Sequence, residues 1–283
     1  MVVCEKPSYV AGLNAYRTYQ PEFLEIEADE DGMIIEDLKD KLSKNKKAKF
    51  IYIIPNFQNP TGKTWSAERR KAIVEVAEQF NIPIVEDNPY GDLIYDGKKL
   101  PAVKSFDKNG MVIYLGTFSK TICPSFRVGW VVAAPEILLR YNQIKQSADL
   151  QTSTFNQRII SKYLDLFDNK AHIGLLIDEY RVKRDTMLQA IKREFPADVK
   201  YTVPAGGMFI WAELPEPLNA IELRKRGIEN KVAVLSGETF FPQTQKYNTF
   251  RMSFTAVSTE EINKGIKIIG DIIKEMKVEA DAE

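Results

Sequence analysis

Histidine is almost missing from this chain: among 283 residues there is one, His172. A serine or cysteine hydrolase needs an imidazole base beside its nucleophile, and a zinc centre usually draws on several imidazoles. His172 lies in FDNKAHIGLL, near the start of a helical stretch, and reads as a surface or packing residue, so the chemistry has to rest on other groups. Cysteine is nearly as scarce. Cys4 and Cys123 form neither a disulfide framework nor the paired spacing of a metal site, so no metal is expected and a reducing, cytoplasmic setting is. No apolar run reaches the length of a membrane span, and the N-terminus lacks a charged start followed by an apolar core, so neither a membrane nor an export route is expected. An excess of charge is missing too, since 39 basic residues face 39 acidic ones. No broad field therefore attracts nucleic acid, and any anion site has to be local.

What is present is an ordinary globular composition, 44% hydrophobic and 28% charged, long enough to bury a sizeable core in one large or two medium domains. Short apolar runs read as strands: MVVCE (1–5), EFLEIEA (22–28), FIYIIP (50–55), IPIVEDN (82–88), VIYLGTF (112–118) and VGWVVAAP (128–135). Amphipathic helical stretches lie between them at 35–45 and 66–81, the second with Ser66 as a candidate N-cap. This alternation predicts an α/β fold with a mostly parallel sheet and flanking helices. A long helical zone, 135–167, interrupted near 152–154, leads into a smaller α+β unit. That unit reads as a helix over 173–195, strands VKYTVP and MFIWAEL, helix NAIELRKRGIEN, strands VAVLSG and NTFRMSF, and a last helix from Ser258 to Met276. The expected domains are therefore 1–150 and 151–283, with the acidic tail VEADAE disordered. MVVCE is a buried-strand pattern at residue 1 with no earlier element to flank it, as though the sequence had been cut into.

The stretch GTFSKTICPSFRVGW, 116–130, sets Lys120 at the end of an apolar strand, where a lysine is awkward. By itself it could open a solvated loop. Its neighbours Thr117, Ser119 and Arg127, with small or turn-forming residues between them, look instead like a phosphate site with an amine set into it. Parallel α/β sheets bind ligands at the carboxyl ends of their strands. NFQNPTG follows one strand there and EDNPY ends another, so Asn59, Asp87, Tyr90 and Lys120 fall along one sheet edge if the strands are parallel. Taken singly, NPTG is a turn, Asp87 a helix cap and Tyr90 a core residue. Arg251, in NTFRMSF, interrupts an apolar strand and asks for an anion.

With CEKPSYVAGLNAYR, PAGGMFIWAELP, VAVLSGETFF and FRMSF, the ordered motifs NPTG, VEDNPY and TFSKTICPSFRVGW closely resemble the class I/II pyridoxal-phosphate aminotransferases of fold type I. More narrowly they resemble the branch of 2-aminoadipate and kynurenine-type aminotransferases and the enzyme-like domain of MocR regulators. The resemblance runs from Val2 to the last helix. It implies exchange of an amino group between an amino acid and a 2-oxo acid, with pyridoxal 5'-phosphate as cofactor. Lys120 would then carry the cofactor and move a proton, and Asp87 would pair with the pyridine nitrogen. Asn59 and Tyr90 would donate to the phenolic oxygen, with Asn59 also beside the substrate. Thr117, Ser119 and Arg127 would hold the phosphate, Tyr9 would stack on the ring, and Arg251 would grip the substrate α-carboxylate.

The sequence departs from that family at its start. Members carry, upstream of the strand matching VVCEKPSY, an N-terminal arm, further helices and a Gly-Ser-Gln-type phosphate loop, and nothing here matches them. The chain therefore reads as the C-terminal majority of such an enzyme, with an incomplete large domain. In the full-length form a homodimer is implied; the chain alone is expected to bind cofactor weakly and to self-associate. Two further readings share the resemblance: a lyase or decarboxylase on the same cofactor, and a ligand-sensing domain of a MocR-type regulator, which would need a winged helix fused upstream.

Overall fold

β-branched and aromatic runs form strands because their side chains pack well on a pleated, half-buried surface. In a computed structural model describing residues 1–282, the early runs build one sheet. In chain order its elements are β1 (Val2–Glu5), α1 (Val10–Arg17), β2 (Phe23–Ile26), a hairpin of β3 (Ala28–Asp29) and β4 (Gly32–Met33), and α2 (Ile35–Lys44). Then follow β5 (Phe50–Ile53), α3 (Ala67–Phe80), β6 (Ile84–Asp87), β7 (Val112–Thr117) and β8 (Gly129–Val132). The strand order is β2-β1-β5-β6-β7-β8. All neighbours pair in parallel except β7 and β8, which are antiparallel. The loop from 118 to 128 is too short for a crossover, so the chain turns back beside the strand it has just left.

The register sets Cys4, Tyr52, Val85 and Ile113 side by side on one face. The opposite face, with Val3, Ile51, Ile84 and Val112, is covered by Leu38 and Leu42 of α2 and Ile73 and Val76 of α3. Ser66 caps α3 by accepting from the Arg69 amide at 3.2 Å, and Asn81 ends it in the left-handed region at φ 51°.

The later elements are α4 (Pro135–Ala148), α5 (Thr154–Leu166), α6 (Asn169–Glu194), β9 (Lys200–Tyr201), β10 (Phe209–Glu213), α7 (Ala220–Glu229), β11 (Leu235–Ser236), β12 (Thr249–Ser253) and α8 (Thr259–Asp281). An antiparallel sheet of order β11-β12-β10-β9 packs against α6 and α8 through Met187, Ile191, Ile210, Phe250, Ile266 and Ile273. The expected break in the helical zone lies between Ala148 and Thr154, where Ser153 caps α5.

Several boundaries differ from the sequence reading. Helix α6 begins at Asn169 rather than at 173, because the Asp168 carboxylate accepts from the amides of Lys170 and Ala171 at 2.9 and 3.0 Å. The tail VEADAE is not disordered where described: α8 continues through Asp281, with Met276 buried against the second sheet and Glu279 held by both terminal nitrogens of Arg226 at 2.8 and 2.7 Å. Glu283 lies outside the described residues. The strands expected over 199–204 and 232–237 shrink to two residues each, and α1 and the β3–β4 hairpin had no counterpart in the reading. No helix among the described residues is long and apolar enough to cross a membrane.

Candidate active site

The chain leaves β5, β6 and β7 at the same edge of the first sheet, and polar residues stand at each exit. Asp87 is the last residue of β6. Its Oδ2 accepts from the Tyr52 hydroxyl at 2.8 Å. Burial raises the carboxyl above its ordinary value, and the bond from Tyr52 opposes that rise.

Beyond β5, Asn59 lies in a turn that opens with a cis bond to Pro60. Its Nδ2 donates to the Tyr90 hydroxyl at 3.4 Å, and its Oδ1 accepts from Arg251 at 2.8 Å. Arg251 comes from β12, in register with Trp211 of β10. Its guanidinium carbon sits 4.0 Å from the ring centre of Phe209 and 5.4 Å from that of Phe240, which places the cation between two aromatic faces. The Arg251 Nε is buried and has no hydrogen-bond partner among the described residues.

Lys120 follows β7 and is half-buried. Burial, then the positive charges of Arg127 and Arg251, pull its amine below the ordinary lysine value. The hydroxyls of Thr117 and Ser119 are bonded to each other at 2.9 Å, and the Ser119 amide donates to Thr117 Oγ1 at 3.1 Å. Arg127 is exposed and adopts φ 53°, and its guanidinium donates to the Pro124 carbonyl at 3.5 Å rather than to either hydroxyl. Tyr9 precedes α1 and is half-buried; burial and the charge of Asp87 raise its phenol, while Arg251 and Arg127 act the other way.

Asn59, Tyr90 and Arg251 are thus joined directly, and Thr117 and Ser119 form a second bonded pair. Tyr9 feels the charges of Asp87, Arg251 and Arg127, and Lys120 feels those of Arg127 and Arg251. His172 lies elsewhere, in the first turn of α6, with its ring edge-on to Tyr163 at 6.1 Å. The reading missed Tyr52, Phe209 and Phe240, which sit in apolar runs and look like core. Only the pairing of β5 with β6 turns Tyr52 toward Asp87. A cavity of about 760 Å³ also lies away from these groups, between the β3–β4 hairpin and the second sheet. Among its lining residues Lys6 pairs with Glu27 and Lys246 with Glu213, each at 2.8 Å.

The donor set suits a phosphorylated pyridine aldehyde. A carboxylate whose one described partner is a tyrosine hydroxyl stands at one place, a half-buried amine that feels the charge of two guanidinium groups at another, and a buried guanidinium nitrogen is left to bond. Pyridoxal phosphate carries the complementary groups: a ring nitrogen, an aldehyde and a phosphate.

Residues 1–269 match the family described as aminotransferase class I and II. Over 279 residues the chain is 43% identical to the aromatic-amino-acid aminotransferase 1 of Thermococcus litoralis, covering 97% of this chain and 67% of that protein. The crystal structure of Pyrococcus horikoshii kynurenine aminotransferase, in complex with PMP, superposes with a TM-score of 0.94 at 41% identity, covering 97% of this chain and 69% of that one. The α-aminoadipate aminotransferase LysN of Thermus thermophilus, complexed with N-(5'-phosphopyridoxyl)-L-leucine, gives a TM-score of 0.93 at 36% identity, covering 98% and 72%. An HTH-type transcriptional regulator of Bacillus subtilis, YdfD, is more distant, at 28% identity over 97% of this chain and 56% of its own length.

Proposed function

The chain belongs to the aminotransferase class I and II family and is a pyridoxal-phosphate-dependent aminotransferase; from that premise we propose the role of each residue at the sheet edge and the class of its substrates. When bound, the cofactor supplies an aldehyde that takes up an amino group and a ring that accepts the electron pair left at the substrate α-carbon.

Lys120 Nζ anchors the cofactor and carries the proton away from the α-carbon, work that its lowered pKa favours because more of the amine is neutral near physiological pH. Asp87 offers its carboxylate to the ring nitrogen, and Asn59 and Tyr90 donate to the phenolic oxygen. Thr117, Ser119 and Arg127 hold the phosphate, and Tyr9 lies against the ring. Arg251 binds the α-carboxylate of the amino acid and of the 2-oxo acid, and its fixed setting between Phe209 and Phe240 orients the substrate. The observation that carries this reading is the bonded set Arg251–Asn59–Tyr90, which links the proposed carboxylate clamp to the proposed cofactor cradle.

Aromatic amino acids, kynurenine and 2-aminoadipate are the donors proposed, after the names of the relatives. A homodimer is proposed as the working form, supported by apolar side chains exposed on α4 and α5, among them Leu139, Ile144 and Phe155. A cytoplasmic setting is proposed from the two unpaired cysteines.

Borohydride reduction of the cofactor-loaded protein, followed by peptide mass spectrometry, tests the central assignment. The label is expected on Lys120, and Lys120→Ala is expected to lose turnover by at least about a thousandfold while keeping its thermal transition. A label on another lysine would end the assignment.

A further inference from the structure

One buried hydroxyl outside the residues assigned so far points at the site. Tyr52 is 2% exposed, and its ring meets Tyr16 of α1 edge-on with centroids 5.6 Å apart. The sheet explains its reach: Tyr52 pairs with Val85, two residues before Asp87, so both side chains leave the same face of adjacent parallel strands. Helix α1 leaves the hydroxyl its place through a missing side chain, since a Cβ on Gly12 would lie 2.9 Å from the Tyr52 oxygen. Burial holds the phenol far above its ordinary value, so it stays protonated and donates, and Asp87 accepts at 2.8 Å.

We propose that Tyr52 is a positioning residue whose hydroxyl, seated between Gly12 and Asp87, fixes the Asp87 carboxylate in one orientation and favours its charged form. This rests on the role given to Asp87 above. The other titratable groups that feel Asp87 are phenols, those of Tyr9, Tyr16 and Tyr90, and each is itself raised by burial. They supply no positive charge to keep the carboxylate ionised. A bond donated to the charged form does so, and it also stops the carboxylate from turning about its own axis.

The test uses the full chain with and without pyridoxal phosphate, in wild type, Tyr52→Phe and Asp87→Asn. With aspartate labelled by ¹³C at the side-chain carboxyl, Asp87 is identified by its missing signal in Asp87→Asn and titrated in the cofactor-free protein. In Tyr52→Phe its midpoint is expected to rise by about one pH unit, the size of one hydrogen bond to a charged group. The acid limb of cofactor affinity, followed by tryptophan fluorescence, should move up with it, and affinity on that limb should fall about tenfold. The retained ring should leave the thermal transition nearly unchanged. Fluorotyrosine at position 52 keeps the ring and donates more strongly, so it should move the midpoint down, and it decides the matter if Tyr52→Phe does not fold. An Asp87 midpoint that moves in neither direction overturns the proposal. Undiminished cofactor affinity in Asp87→Asn would instead overturn the role of Asp87 itself.

Discussion

Burial, and after it the charges of two other cations, lowers the pKa of the Lys120 amine. Arg127 and Arg251 both disfavour its protonated form, so removing either should raise the lysine midpoint. Capture of pyridoxal phosphate, read by absorbance against pH, should rise through a midpoint below the ordinary 10.5, and that midpoint should move upward in Arg127→Ala and in Arg251→Ala. The two variants should part in their other effects. Arg127→Ala loses a phosphate ligand and should release cofactor on dialysis, whereas Arg251→Ala should retain it and lose about a hundredfold in kcat/KM for the amino acid. Equal cofactor loss in both would contradict the assignment.

Glu5 carries a second pH effect, one of stability. It is 3% exposed at the end of β1, and its carboxyl accepts from Trp65 Nε1 at 2.9 Å and from the Ile54 amide at 3.4 Å. Burial pushes it from 4.5 up to about 7. The native state therefore keeps a proton that the unfolded chain gives up near pH 4.5, and stability falls by on the order of 3 kcal/mol as the pH climbs from there to about 7. Glu5→Gln should flatten this dependence and gain stability at pH 8, measured by urea unfolding at pH 5 and pH 8. An unchanged slope would show that Glu5 ionises in the native state as it does in the unfolded chain.

Among the elements, α3 does more than cover the sheet. Arg70 within it is fully buried and donates to the carbonyls of Trp65, Pro55 and Pro101 and to Asn56 Oδ1, at 3.1, 2.9, 3.0 and 2.7 Å. One side chain thus fastens the end of β5, where the Asn59 turn begins. Arg70→Met keeps the bulk and strands these acceptors, which should cost about 3 kcal/mol or more in denaturant unfolding. A loss under about 1 kcal/mol would show that water satisfies them equally well. Elements of this kind were legible as elements: the 66–81 helix and its Ser66 cap follow from periodicity and from the side-chain chemistry of serine. The burial of Arg70 was not, because an arginine in ERRK on an amphipathic helix reads as solvent-facing until the loops that supply its carbonyls are in place.

For the whole molecule, we propose a division near residue 150 into two units, each with its own sheet. Their relative placement sets the site, since Arg251 arrives from one and Asn59 from the other. Glu25 of β2 helps to hold that placement: its carboxylate accepts from the amides of Gln243 and Thr244 at 2.9 and 3.1 Å and from the Thr244 hydroxyl. Arg184 of α6 ties a second point, through Asp96 and the Pro204 carbonyl. Glu25→Ala should therefore raise KM for the amino acid about tenfold with little change in cofactor affinity, measured by steady-state kinetics and fluorescence titration. A parallel loss of both would place Glu25 within the cofactor site's own support.

The sequence by itself determined the strand runs, the helices that cover them and the polar residues at their ends, because side-chain period and turn chemistry act within a few residues of one another. Once the strands pair in parallel, Asn59, Asp87, Tyr90 and Lys120 fall near one edge. Tertiary structure alone decided what each of them touches. The β5–β6 register turns Tyr52 toward Asp87, and the docking of the second sheet brings Arg251 to Asn59 across 192 residues of chain. It also kept α8 helical to Asp281, against the polar look of its tail, because Arg226 stands where it can hold Glu279. Such contacts join groups far apart in the chain, and local propensity carries no information about them.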